Sequence, residues 1–183
     1  MDTRMILSTR DMTRCALMAV MIAVCSWISI PIGPVPFTLQ TLGVFCALGM
    51  LGGMRGMISI VLYVLLGAVG VPVFAGFAGG VGTLLGPSGG YIMGFVLSAA
   101  VYWLITAHTG SSVVWQSIAM ALGLIVCYAF GTLWFMRVYA ANSQPVTLGA
   151  ALGWCVFPFI LPDAVKIAMA QLLSRRIRAH VHM

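Results

Sequence analysis

The chain has 183 residues, of which 62% are hydrophobic and only 7% are charged. A soluble domain is about 25% charged, so the composition excludes an ordinary soluble enzyme or binding domain and predicts an all-α integral membrane protein. The length fits a single membrane domain over residues 1–183, a bundle of about six transmembrane helices. The net charge of +6 does not indicate nucleic-acid binding, because the arginines lie at the ends of apolar stretches, as expected for cytoplasmic span ends.

The first apolar stretch follows a polar N-terminus and runs from about Cys15 to Ile30. It contains Ala16, Ala19 and Ala23, small residues spaced three and four apart. Such spacing places small side chains on one helix face, where a second helix can approach closely. Alanine is also ordinary helix filler, and both interpretations are open at this point.

The next two spans are short and follow a proline-rich connection. Residues 31–38, PIGPVPFT, contain three prolines and one glycine, which predicts a rigid, non-helical connection. The second span runs over 39–53 with Gln40 at its beginning, and the third over 57–70, with Arg55 in the turn between them.

The longest connection covers residues 71–90, VPVFAGFAGGVGTLLGPSGG. It is rich in glycine yet apolar, whereas a flexible linker is rich in glycine and serine. No G-x-x-x-x-G-K-[ST] pattern occurs in the chain, so these glycines do not predict an ATP-binding loop. Irregular backbone at membrane depth is tolerated where it lines a cavity. We therefore expect a long Gly-rich outer loop between helices 3 and 4 that serves as a lid or pocket wall.

The fourth span is predicted over 91–107 and the fifth over 113–136. The last apolar stretch, 148–173, is too long for one straight span. We expect Pro158 and Pro162 to break it, so that a final helix begins at Pro162.

Two charges lie inside that final helix. Asp163 is one of three acidic residues in the chain, and Lys166 is its only lysine. A charge at bilayer depth costs about 2.5–3.5 kcal/mol on insertion scales and normally has a partner. Residues i and i+3 share a helix face, and an aspartate beside Pro162 would lie near free backbone N–H groups at the positive end of the helix dipole. This pattern predicts a site for a small polar ligand, and the alternative is a structural ion pair.

The arginines predict the orientation. With about six crossings and the N-terminus inside, both chain termini are cytoplasmic, as are the turns near Arg55 and His108. The arginines that then lie inside are Arg4, Arg10, Arg14, Arg55, Arg175, Arg176 and Arg178. The glycine- and proline-rich connections face outward, and Asp163, about 18 Å above the inner arginines, is reachable from that side.

Catalytic and metal-binding patterns are absent from the sequence. It has no H-x-x-x-H, no G-x-S-x-G and no paired carboxylates, and its five cysteines are scattered without C-x-x-C spacing. His108 lies in a turn, and His180 and His182 lie in the tail. The chain is therefore not predicted to be an enzyme or to hold a metal ion.

Four segments together resemble the BioY family, the biotin-binding S-components of energy-coupling factor (ECF) transporters. They are PVPFTLQTLGVFCALGMLGG (34–53), LYVLLGAVGVPVFAGFAGG (62–80), LLGPSGGYIMGF (84–95) and FPFILPDAVKIAMAQLL (157–173). The resemblance extends from the first span to the end of the last helix. It implies a six-helix fold in the cell membrane, a biotin pocket near the outer face, no cofactor, and uptake energised by a separate coupling subunit and two ATPases.

The resemblance also implies roles for individual residues. Asp163 and Lys166 would bind the ligand by hydrogen bonds, the carboxylate accepting from an N–H and the ammonium donating to an oxygen, and Tyr91 would form part of the pocket wall. The other candidate ligand-binding residues are Gln40, Thr38, Phe77, Gly79 and Gly80. The alanines of the first helix, Ala16, Ala19 and Ala23, would dock onto the coupling subunit.

The chain departs from some family members at two positions. Ala78 stands where some members have asparagine, and Ile92 where some have a basic residue, so the group that would hold the ligand's carboxylate is open. Three alternatives remain beside biotin uptake: the same scaffold for another small vitamin, a small embedded enzyme that uses Asp163 on a lipid or isoprenoid, and a structural membrane subunit.

Overall fold

The computed structural model describes residues 8–110, 112–142 and 144–180, so Arg4 and His182 lie outside the described residues. Within these ranges the chain is mainly helical. The helices are α1 (Thr9–Trp27), α2 (Gln40–Leu51), α3 (Gly53–Ala68), α4 (Val81–Leu85), α5 (Gly89–Thr109), α6 (Val113–Asn142), α7 (Leu148–Cys155) and α8 (Phe157–His180). Strand β1 (Ser29–Ile30) pairs antiparallel with β2 (Phe37–Thr38), and a short 3-10 helix covers Ala75–Phe77.

Membrane-spanning character is clearest in the C-terminal half of the chain. Within the described ranges, three helical segments are long and apolar enough to cross a bilayer: Gly89–Thr109, Val113–Ala141 and Phe157–Ile177. Helices α2 and α3 are equally apolar in character but shorter. The chain is therefore a helical membrane protein.

Glycines allow α5 and α6 to pack against each other over most of their lengths. A Cβ added at Gly90 would lie 2.3 Å from Cβ of Trp134, and one added at Gly94 would lie 2.8 Å from Sγ of Cys127. From the other side, a Cβ at Gly131 would lie 2.2 Å from the ring of Tyr91. These positions have no room for a side chain, and the close approach fixes the ring of Tyr91 over α6.

The alanine face of α1 is used within the chain's own bundle. Ala19 and Ala23 are 2% and 4% exposed, on the face that packs against α2 and α3. Helix α2 comes close enough that a Cβ at Gly43 would lie 3.0 Å from Cα of Ile22. Only Ala16, at the edge of that face, is exposed. The docking role of the three alanines stays a prediction, and Ala16 is the one of them that the isolated chain leaves exposed. Spacing alone does not tell which helix packs on the other two.

The connection predicted to be rigid, 31–38, forms the turn and strand β2 of the β1–β2 hairpin, and β1 lies just before it. The long connection after α3 contains the 3-10 helix and α4. Hydrogen bonds tie the beginning of this second segment to α1. Oγ of Ser26 donates to the carbonyl of Val73 at 2.6 Å, and Nε1 of Trp27 donates to the carbonyl of Pro72 at 2.9 Å. Phe74 follows, buried against Gly67, where a Cβ would lie 2.0 Å from its ring.

The last helix begins earlier than the prolines predict. The break falls at Val156, α8 begins at Phe157, and Pro162 lies inside the helix. Pro162 cannot donate to the carbonyl one turn earlier, at Pro158, and membrane helices tolerate such an interruption because neighbouring groups satisfy the freed backbone. Asp163 therefore lies more than one turn into α8, not among free N–H groups at its beginning, which corrects that expectation.

The close packing of α5 on α6 makes Gly90→Ala destabilising, because the added methyl group overlaps Trp134. Overpacking of this kind costs about 1–3 kcal/mol, and thermal unfolding of the purified protein in detergent measures it. Gly149→Ala in α7 is the matched control, because no atom lies within 4 Å of the added Cβ. Equal melting temperatures for the two variants would contradict the packing described here.

Candidate ligand-binding site

A cavity of about 230 Å³ lies among β2, α2, the segment between α3 and α5, and helices α5, α6 and α8. Apolar and aromatic side chains form most of its wall, including Phe74, Phe95, Leu124 and Phe159. The charged pair on α8 lies in the same wall. An apolar cavity with a few converging polar groups is the usual form of a small-molecule site.

Asp163 and Lys166 form a buried ion pair. The Nζ of Lys166 lies 2.7 Å from Oδ1 of Asp163, and the residues are only 4% and 1% exposed, respectively. Their i, i+3 spacing on α8 brings the side chains together as the sequence predicts. Dehydrating two charges is costly unless the remaining donors and acceptors are also satisfied, so the neighbours of the pair decide whether it is stable.

Lys166 has a partner for each of its three N–H groups. Besides Asp163, Nζ donates to the carbonyl of Thr38 at 2.8 Å and to Oγ1 of Thr41 at 3.0 Å. The ring of Phe37 lies 4.4 Å from Nζ, measured to the ring centroid, a distance at which a cation is attracted by the ring face. A lysine ammonium has three donors and no acceptor, so in this arrangement no N–H of Lys166 is left for a further oxygen.

Asp163 is held by donors from two other helices. Oγ1 of Thr41 in α2 donates to Oδ1 at 2.8 Å, and the hydroxyl of Tyr128 in α6 donates to Oδ2 at 2.5 Å. A carboxylate has about four acceptor positions, of which these two bonds and Lys166 use three. The position that remains, on Oδ2, can accept a hydrogen bond from a ligand. The site therefore favours a ligand head that carries an N–H or O–H donor.

Gln40 connects the cavity to the segment after α3. Its Nε2 donates to the hydroxyl of Tyr63 at 2.7 Å, and that hydroxyl donates to the carbonyl of Val73 at 3.2 Å. The same carbonyl accepts from Ser26 of α1. Gln40 lines the cavity, and the second N–H and the oxygen of its amide are available for a ligand.

The predicted site residues are distributed unevenly around this cavity. Five of them line it: Asp163, Lys166, Tyr91, Gln40 and Thr38. Three others, in the segment between α3 and α4, lie outside the lining: Phe77, Gly79 and Gly80. Ala75 and Ala78 of the same segment do line it.

Local packing explains why those three residues are elsewhere. Phe77 is 64% exposed and stacks on Trp27 with 5.2 Å between ring centroids. The α-carbon of Gly79 lies against the backbone, because an added Cβ would be 2.5 Å from the carbonyl oxygen of Val71. Gly80 has φ of +88° and allows the chain to turn into α4.

Tyr128 is a cavity residue in contact with Asp163 that the sequence did not indicate. It stands in an apolar span with no motif around it, and only the packing of α6 against α8 brings its hydroxyl to Asp163. Thr41 follows Gln40 directly at the start of α2, and its proximity to the ion pair likewise depends on the packing of α2 against α8. Within the described part of the chain, no three His, Cys, Asp or Glu residues are grouped so that they could hold a metal ion.

Comparison with known proteins gives consistent results over nearly the whole chain. A sequence model described as the BioY family matches residues 1–183. The chain is 38% identical over 169 residues to the biotin transporter BioY of Thermotoga maritima, and the match covers 92% of this chain and 96% of the relative. It is 37% identical over 174 residues to a probable biotin transporter BioY of Pyrococcus horikoshii, covering 95% and 99% of the two chains.

A solved structure has the same fold. The crystal structure at 2.1 Å of the S-component for biotin from an ECF-type ABC transporter superposes with a TM-score of 0.79 at 29% identity. The match covers 93% of this chain and 91% of that one.

The hydrogen bond from Tyr128 to Asp163 predicts a loss of stability in Tyr128→Phe. This variant leaves a buried carboxylate oxygen without its donor, and hydrogen bonds to charged groups contribute about 1.5–3 kcal/mol. Thermal unfolding in detergent measures the loss. Tyr139→Phe is the control, because Tyr139 lies outside the cavity lining and packs on Phe135 and Trp154. A melting temperature for Tyr128→Phe no lower than that of the control would contradict the contribution assigned to this bond.

Proposed function

The chain belongs to the BioY family, and on that premise we propose that it is the membrane subunit that binds biotin with high affinity for uptake into the cell. The observation that carries this function is the buried pair of Asp163 and Lys166 in the wall of an apolar cavity. The chain is a transport protein and not an enzyme, in agreement with its relatives, which are named as transporters.

The cavity suits the chemistry of biotin. The ureido ring of biotin has two N–H donors and one carbonyl oxygen. One N–H can donate to the remaining acceptor position of Asp163, and the ureido oxygen can accept from the amide of Gln40. The thioether ring and the aliphatic chain can pack against Phe74, Phe95 and Phe159. In this arrangement Lys166 acts by holding the carboxylate of Asp163 in position, and its own N–H groups stay with protein oxygens.

The membrane topology that we propose has six spans and cytoplasmic termini in the cell membrane. Helices α1, α2, α3, α5 and α6 would each make one crossing, and α7 with α8 would make the sixth. The inner ends of α1 and α3 are joined by Asp11, whose carboxylate lies 3.1 Å from a guanidinium nitrogen of Arg55 and 3.9 Å from one of Arg14. These arginines lie where the positive-inside rule places cytoplasmic ends.

Energy for uptake would come from other subunits, as in the ECF-type transporter to which the solved S-component belongs. The sequence contains no Walker A pattern, which agrees with a separate transmembrane coupling subunit and separate ATPases. Ala16 is the alanine of α1 that is exposed on the surface, beside Leu17 and Val20, which are 63% and 57% exposed. We place the docking surface for the coupling subunit on this exposed face.

Biotin is expected to raise the melting temperature of the purified protein, because a ligand that binds only the folded state stabilises it by about 4 kcal/mol at a thousand times its dissociation constant. Asp163→Asn and Lys166→Met should each abolish most of this shift. Each variant removes one member of a buried pair, which costs about 3–5 kcal/mol when the other is left unpaired.

Tyr139→Phe, outside the cavity, serves as the control and should keep the full shift. Because the pair variants also lose stability, their folding is checked by gel filtration before binding is compared. Folded variants that bind biotin as the parent does would show that the site is elsewhere. No shift in the folded parent would argue against biotin, and a shift with another vitamin would identify that vitamin as the ligand.

Docking through α1 predicts that Ala16→Trp separates binding from transport. The indole would hold a partner helix away from a surface of small side chains, while biotin binding to the isolated subunit stays at the parent's level. Uptake of labelled biotin by cells that contain the coupling subunit and ATPases is the measurement. Ala121→Trp, at an exposed position of α6, is the control and should transport normally. Full uptake by Ala16→Trp would remove the docking role from this face.

A further inference from the structure

We propose that the cavity recognises the ring system of biotin without requiring its free carboxylate, so that the chain also takes derivatives whose acid is capped as a neutral amide or ester. This inference rests on the biotin-binding function proposed above and concerns the class of substrate that the same site admits. It follows from the charges and hydrogen bonds of the cavity wall.

The cavity wall has no net charge. Lys166 is the single cation in the lining and Asp163 the single anion among the residues that the structure describes, and they are paired at 2.7 Å. The other polar side chains of the lining are neutral: Thr38, Gln40, Thr41, Thr83, Ser88, Tyr91 and Tyr128. The described arginines lie outside this lining, including Arg137 of α6. A ligand carboxylate therefore meets no unpaired cation in the wall.

Lys166 cannot become that cation without dismantling the site. Its three N–H groups are bonded to Asp163, to the carbonyl of Thr38 and to Thr41. Moving the ammonium to a ligand carboxylate would leave a buried aspartate and a buried carbonyl without their donor, which is strongly unfavourable. Bringing the carboxylate to the pair instead would place a second anion beside the buried carboxylate of Asp163, which is 1% exposed. The acid end of the ligand is therefore kept away from the pair.

The remaining hydroxyls treat an acid and an amide alike. Thr83 and Ser88 come from the segment between α3 and α5 and are half-buried, unlike the ion pair. The hydroxyl of Thr83 already donates to the carbonyl of Gly79 at 3.0 Å, so it offers an acceptor, which suits an amide N–H better than a carboxylate. The hydroxyl of Ser88 can donate to either kind of carbonyl oxygen. Neutral groups of this kind give little preference for the charged tail.

The test compares dissociation constants of the full-length protein in detergent, measured by calorimetry for biotin, its primary amide and its methyl ester. A biotin methylated on a ureido nitrogen is included as the head-modified control. We expect the amide and the ester to bind within about tenfold of biotin, and the head-modified compound to lose more than about a hundredfold. A loss of more than about tenfold for both neutral derivatives would overturn the inference.

A cation added to the wall provides a second, independent readout. Thr83→Lys should raise the ratio of the amide's dissociation constant to that of biotin by at least about fivefold, because it supplies the missing countercharge. Thr83→Met, of similar length and without charge, should leave this ratio at the parent's value. An unchanged ratio in Thr83→Lys would overturn the inference that the acid end of the ligand lies near Thr83 and Ser88, away from the ion pair.

The outcomes separate this inference from the proposed function. If the folded parent does not bind biotin, the proposed function itself fails. If it binds biotin but neither neutral derivative, biotin binding stands and only the tolerance of the tail is refuted.

Discussion

The structure depends on burying two opposite charges inside a membrane protein with all of their main hydrogen-bonding partners in place. Asp163 and Lys166 lie one helical turn apart, but α8 alone cannot satisfy them, because an ion pair still leaves two ammonium protons and several carboxylate lone pairs unbonded. The partners come from Thr38 in β2, Thr41 at the start of α2 and Tyr128 in α6. The cavity therefore lies where three separate parts of the chain meet the charged pair. The polar groups that line it are the same groups that stabilise the buried charges.

The rest of the bundle fixes the positions of those partners. The glycines of α5 and α6 let the two helices approach until Trp134 and Cys127 touch backbone that carries no side chain. Because the interior is close-packed, that approach sets the height and rotation of α6, and with them the place where Tyr128 reaches α8. The close packing of α5 on α6 and the hydrogen bonding at the charged pair are therefore coupled through the position of α6.

The sequence predicted the part of the site that is chemically unusual. Charges are rare in this chain, so Asp163 and Lys166 were conspicuous, and their helical spacing implied the contact that the structure shows. Tyr128 is an aromatic residue in an apolar span, and nothing local distinguishes it from core filler. The alanines of α1 have the right spacing for close packing, but the spacing of small residues identifies only the helix face and not the helix that packs on it. The prediction that the last helix begins at Pro162 was wrong, because a membrane helix can continue through a proline when neighbouring groups satisfy the freed backbone.

The cavity and the first helix are joined through one backbone carbonyl. Val73 accepts from Tyr63, which is bonded to Gln40 in the cavity wall, and from Ser26 near the end of α1. Because both donors reach the same oxygen, a shift of the segment after α3 that accompanies a change at Gln40 also changes its attachment to α1. Ala16 lies at the exposed edge of α1's packing face, so the helix that contacts this segment also carries the surface on which we place the partner. These three hydrogen bonds therefore connect the wall of the ligand-binding cavity directly to the helix on which we place the docking surface.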